Sequence, residues 1–187
     1  MLAAAVIGLP LPLLPLHLLW INLVTDGLPA LALVMDPADA DVLSRPPRAP
    51  AEPMLGRGQW RPIVATGALE AAVVLGVFVW TLRTSPIDEA RARAFDTLVV
   101  SELFRAFAAR SPTHLIPQLG FLSYARLIAV VAVSLLFQLA LHGIPALMRL
   151  FQLPPETWAN TALPFLLGLI PVSALELAKL ARKARRR

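Results

Sequence analysis

Asn22, Thr25 and Asp26 lie together in an apolar stretch, Leu18–Val34, that reads LLWINLVTDGLPALALV. Spacings of three and four put all three on one side of an α-helix. A carboxylate near the middle of a membrane helix costs roughly 3 kcal/mol on insertion scales, so it normally faces protein or a hydrated site. Gly27 and Pro29 follow at once. Pro29 has no N–H to offer the carbonyl of Thr25, and Gly27 makes unwinding there easier. The expectation is a helix break lined by a carboxylate, an amide oxygen, a hydroxyl and freed carbonyls. These are hard oxygen donors of the kind that Ca²⁺ prefers, at a place where broken membrane helices hold ions. The plainer reading, polar residues gluing helices together, accounts less well for three oxygen groups beside a Gly-x-Pro break.

The elements that must position these groups follow from composition. The chain has 187 residues, of which 57% are hydrophobic and 16% charged, with a mean hydropathy of +0.68. That balance excludes an ordinary soluble domain and predicts an all-α, polytopic membrane helix bundle. About five transmembrane helices are expected, near residues 13–34, 62–82, 94–109, 124–141 and 158–177, the first one interrupted, in a single transmembrane module over 1–187. Residues 35–58, rich in Pro, Asp and Arg, read as a loop. Residues 83–93 read as a short polar link containing Pro86. Trp60 and Trp80 are spaced like interfacial belt residues around the second span. The fourth span is apolar nearly all round, as a lipid-facing support helix is.

With no cysteine in the chain, disulfides and thiolate metal sites are excluded. His17, His114 and His142 are too scattered for a metal site. The formal charge of +5 owes much to the tail from Lys179 to Arg187. Beside an apolar segment such a tail anchors on anionic lipid and does not call for nucleic acid. Glu176 and Lys179 are expected to form an exposed pair at the interface. The opening residues MLAAAVIGLP have no basic flank, unlike a signal peptide, and read as the stump of a preceding helix and an outer loop. If the loops after the first and third helices and the tail face the cytoplasm, most Arg and Lys lie inside. The C-terminus is then cytoplasmic.

LLWINLVTDGLPALAL resembles the sixth transmembrane helix of calcium-transporting P-type ATPases of bacterial type. The following DPADADVLSRPPRAPAEPML looks like the cytoplasmic loop after that helix, and a weaker likeness runs through SELFRAFAARS to IPVSALELAKLARK. It covers the whole chain but only the last third or so of such a pump. The resemblance implies that Asn22, Thr25, Asp26 and Glu102 are metal ligands, with Asp26 central and Gly27 and Pro29 forming the helix break. It also implies that the loop carrying Asp39, Asp41, Arg45, Pro46, Pro47 and Arg48 couples to the phosphorylation domain. Calcium is the implied transported ion. Asparagine at position 22 favours it, since sodium–potassium pumps usually carry an acidic residue there.

Two residues fall outside that pattern. Glu70, inside the second span, matches no motif of the family and suggests a structural hydrogen-bonding or protonated role more than ion binding. Arg105, three residues after Glu102, stands where many relatives have an uncharged side chain. It either snorkels toward the cytoplasmic charge or neutralises Glu102 and disables one of two ion sites.

The DKTGT acceptor motif of P-type pumps is not in this sequence, and no phosphate-binding glycine loop replaces it. ATP and magnesium are therefore expected to act only through domains outside it. Calcium takes about 6–8 oxygens, more than four side chains offer. The implied partners are the lipid bilayer and the N-terminal part of a pump, with its phosphorylation domain and first five helices. The reading is a membrane part of an ATP-driven divalent cation pump in a bacterial plasma membrane, a gene fragment or one half of a split protein. The alternative is a non-transporting membrane scaffold derived from the pump's support helices.

Overall fold

The computed structural model describes residues 1–35, 56–109, 125–155 and 158–184, and among these every regular element is helical. A short α1 (Leu2–Val6) precedes the first long span. That span is α2 (Pro15–Trp20), a π-helical segment (Ile21–Gly27) and α3 (Leu28–Val34) in one continuous run. Then come α4 (Arg57–Leu82), α5 (Ile87–Ala109), α6 (Ala125–Gly143), α7 (Pro145–Phe151), α8 (Trp158–Gly168) and α9 (Ile170–Ala184). The residues expected to form the coupling loop, Asp39 to Arg48, lie outside the described residues, as does His114.

Four stretches are long and apolar enough to cross a membrane: Pro15–Val34, Trp60–Leu82, Ala125–Gly143 and Ala162–Ala181. The remaining long helix, α5, carries Asp88, Glu89, Arg91, Arg93, Asp96, Glu102 and Arg105. It is nevertheless the central element, packed against α3, α4, α6, α8, α9 and the π segment. Ala90, Ala92, Ala94, Phe95, Val99, Val100 and Leu103 on it are fully buried. At about 1.5 Å per residue its 23 residues are long enough to cross a hydrocarbon layer, and its neighbours cover it. Its first two turns, residues 87–93, lie in the stretch expected to be a link. The reason is charge: Asp88 and Glu89 stand in the first turn, where carboxylates favour a helix N-terminus. α4 likewise begins one residue before the expected end of the loop, at Arg57.

The bundle buries polar groups among its apolar ones and exposes large apolar side chains. Its buried polar groups include His17, Thr25, Glu70, Asp96, Thr97, Ser101, Ser134 and Gln138, while Leu19, Leu23, Leu31, Ile63, Val64, Leu136, Phe137 and Leu166 are exposed. Trp60 and Trp80 are both exposed on α4. The apolar core joins Leu13, Ile21, Phe95, Val99, Leu103, Leu127, Val131, Leu141 and Phe151. A second cluster of Val74, Phe78, Ala90 and Ala94 closes the α4–α5 hairpin.

Three polar clasps fix which helix ends share a side. Arg91 Nε donates to the Leu11 carbonyl at 3.1 Å. At the other end Arg126 donates to the Met35 carbonyl at 2.6 Å and Lys179 Nζ to that of Ala108 at 2.9 Å. Lys179 also binds Glu176 at 2.8 Å, and both side chains are mostly covered, 10% and 19% exposed. The expected surface pair is thus a helix-end clasp.

The last span is not one straight helix. Leu169 separates α8 from α9, and Gly168 presses on α5 so closely that an added Cβ would lie 2.9 Å from the Thr97 carbonyl oxygen and from Val100 Cβ. Small residues permit such close helix contact in membranes. Gly168→Ala is expected to destabilise the bundle by about 1–3 kcal/mol, the usual cost of overpacking. Loss of helical circular dichroism on heating the detergent-solubilised protein measures it; an unchanged transition would show that α8 has room to spare.

Candidate intramembrane cation site

Pro29 shapes the site, though not as an unwound gap. Gly27 (φ −65°, ψ −50°) and Leu28 (φ −65°, ψ −48°) are both right-handed helical. The chain widens to π winding over Ile21–Gly27, an arrangement common at functional sites. With i→i+5 pairing, the carbonyl that Pro29 leaves without an N–H is that of Val24, not Thr25. Ser134 Oγ on α6 donates to it at 3.2 Å. Gly27 sits close to the turn before it: a Cβ there would stand 3.3 Å from the Asn22 carbonyl oxygen, tighter than an ordinary contact.

The change of winding redistributes the three side chains. A π-helix turns less per residue than an α-helix, so residues four apart stay roughly aligned while residues three apart diverge. Asn22 and Asp26 are exposed, whereas Thr25 is buried at 2% exposure. The expectation of one common face therefore fails for Thr25.

Thr25 points at α5. Its Oγ1 lies 2.7 Å from Glu102 Oε2 and 2.8 Å from the Ile21 carbonyl oxygen. One hydroxyl proton can serve only one of these acceptors fully, so Glu102 retains lone pairs for another partner. Thr25 and Glu102 thus meet at the π turn, and Asp26 follows Thr25 on the exposed side of the same turn. The described residues contain no group of three or more His, Asp or Glu side chains able to hold a metal ion.

Arg105 has a partner on another helix. Its Nη1 lies 3.2 Å from Glu70 Oε2 on α4. Glu70 is buried, and its other oxygen accepts from Ser101 Oγ at 2.7 Å. The hydrogen-bonding role expected for Glu70 holds.

A second polar network escaped the sequence reading. Trp20 Nε1 donates to Gln138 Oε1 at 2.9 Å, and Gln138 Nε2 donates to Asp96 Oδ1 at 2.7 Å. His142 Nε2 stands 3.0 Å from the same Asp96 oxygen. The fourth span therefore carries a buried polar stripe, Ser134 and Gln138, and is not merely a lipid-facing support. A stripe at spacing four inside an apolar helix is a signal that the sequence offers. His17 is a core residue as well. Its ring stacks on Phe95 with centroids 4.4 Å apart. Nε2 lies 2.8 Å from the Phe151 carbonyl oxygen, and Nδ1 faces the Leu14 N–H at 3.4 Å. A carbonyl at Nε2 and a donor at Nδ1 define the neutral tautomer protonated on Nε2.

A bundle of apolar helices enclosing carboxylate and hydroxyl side chains beside a π turn defines a polytopic membrane protein. More particularly, residues 10–181 match the model of the family described as "Cation transporting ATPase, C-terminus", and the chain belongs to that family. The calcium-transporting ATPase of Bacillus subtilis is 36% identical over 185 residues, covering 98% of this chain and 21% of that protein. Calcium-transporting ATPase 1 of Bacillus cereus is 32% identical, with 96% and 22% covered. Human calcium-transporting ATPase type 2C member 2 is 35% identical, with 96% and 19% covered. The chain therefore spans about a fifth of the length of these relatives. With its four apolar spans it is an integral membrane protein.

Ser134→Ala leaves the Val24 carbonyl buried without its donor, at a cost of about 1–3 kcal/mol. Thermal unfolding in detergent should show that loss. A Ser134→Thr variant, which keeps the hydroxyl, should recover part of it.

Proposed function

We propose that this chain forms the C-terminal membrane helices of an ATP-driven calcium pump. Asn22, Thr25, Asp26 and Glu102 are its share of the ion's ligands. The observation that carries the reading is the 2.7 Å contact between Thr25 and Glu102. It joins two sequence motifs 77 residues apart at the π turn that also bears Asp26. A site of random polar glue has no reason to bring these two motifs together.

The exposure of Asn22 and Asp26 fits this role. Their oxygens point away from this chain's own core and are open to a neighbour, and Ca²⁺ needs about 6–8 oxygens. The remaining ligands come from membrane helices outside this sequence. The N-terminal part of the pump is thus the principal partner, and it brings the acceptor aspartate, ATP and magnesium. The loop with Asp39, Asp41, Arg45, Pro46, Pro47 and Arg48 docks on the phosphorylation domain. The positive charge of that loop and of the tail supports a cytoplasmic position for both, in this reading with the bundle in a bacterial plasma membrane.

In the complete pump carrying this sequence, Asp26→Ala should abolish Ca²⁺-stimulated ATP hydrolysis. Thr25→Val should raise half-saturating Ca²⁺ about tenfold, or ~1.4 kcal/mol, as one hydroxyl oxygen is lost. Calcium titrations of ATP hydrolysis in membrane vesicles measure both. Full calcium affinity in Asp26→Ala would refute the assignment.

A further inference from the structure

Arg105 is placed where it could spoil the site. It follows Glu102 by three residues on α5, so the two share a helix side, with Cβ atoms about 5–6 Å apart. A guanidinium is a strong, bidentate partner for a carboxylate. Left to itself, Arg105 would compete with any cation for Glu102.

It is not left to itself. Glu70, only 6% exposed, reaches from α4 and takes Arg105 Nη1 at 3.2 Å on one oxygen. Ser101 Oγ fixes its other oxygen at 2.7 Å. Both carboxylate oxygens are engaged, so the acceptor is rigid and aimed. Glu102 turns its own Oε2 to Thr25 instead.

We propose that Glu70 is a positioning residue: by holding Arg105 it keeps a guanidinium off Glu102 and leaves that carboxylate to the transported cation. The inference rests on the reading of Glu102 and Asp26 as calcium ligands. The charges support it. With the Glu70–Arg105 pair closed, the two free carboxylates, Asp26 and Glu102, match a divalent ion. Neutralising Glu70 removes the counter-ion of Arg105, whose side chain is 35% exposed on a helix within a membrane bundle, where an unpaired charge is costly. Arg105 then turns to Glu102, and the site retains the charge of one carboxylate.

The test is a double-mutant cycle in the complete pump, read as half-saturating Ca²⁺ for ATP hydrolysis. Glu70→Gln should raise that concentration. If Arg105 then occupies Glu102 in nine-tenths of the molecules, the rise is about tenfold. Arg105→Gln alone should leave calcium affinity unchanged, and Glu70→Gln/Arg105→Gln should restore it. Ser101→Ala, a gentler change, should weaken affinity a few-fold, and only while Arg105 is present. It carries the test if Glu70→Gln does not assemble. Two outcomes overturn the proposal. Equal weakening in Glu70→Gln and in the double variant makes Glu70 itself a ligand. Unchanged affinity in both Glu70→Gln and Ser101→Ala makes the pair purely structural. Asp26→Ala run alongside separates these from failure of the site itself: if it too keeps full affinity, the calcium site lies elsewhere.

Discussion

In hydrocarbon every buried polar group must find its partner within the protein, and α5 concentrates that demand. It brings Asp96, Ser101, Glu102 and Arg105 into the middle of the bundle, and each meets a side chain from another helix. Asp96 binds α6, Ser101 and Arg105 bind α4, and Glu102 binds the π segment. The apolar helices cover α5 because its composition forbids it from facing lipid. The positions of α4, α6 and the first span are thus set by the polar groups that they must satisfy.

The same constraint explains the winding at Ile21–Gly27. Pro29 removes one N–H from the helix, and an orphaned carbonyl cannot be left to water that is not there. The chain meets this by changing its hydrogen-bond step and borrowing the hydroxyl of Ser134. One serine on α6 therefore supports the turn that presents Asp26.

Much of this was legible in the sequence. Long apolar runs marked four of the spans, and the Asn22–Asp26 cluster beside Gly27 and Pro29 marked the unusual turn. Three things were not. The choice between a break and a wider winding depends on whether a neighbouring helix can cap the spare carbonyl, which is a tertiary fact. Arg105 lies nearer in sequence to Glu102 than to Glu70, so helical spacing alone pointed to the wrong partner. Asp96 carried no signal of its own, because its partners Gln138 and His142 lie over forty residues away.

The two halves of the first span are gripped unequally. α2 is pinned by the stacked His17 ring and by the Trp20–Gln138 hydrogen bond. α3 has apolar packing through Ala32 and Leu33 and the clasp of Arg126 on the Met35 carbonyl. Between them lies a stretch whose backbone pairing can shift by one residue without leaving the helix. Such a rod, held at both ends and wound differently between them, has one place where it can give. A one-residue shift of that pairing would turn Asp26 relative to Thr25 while both ends stay seated.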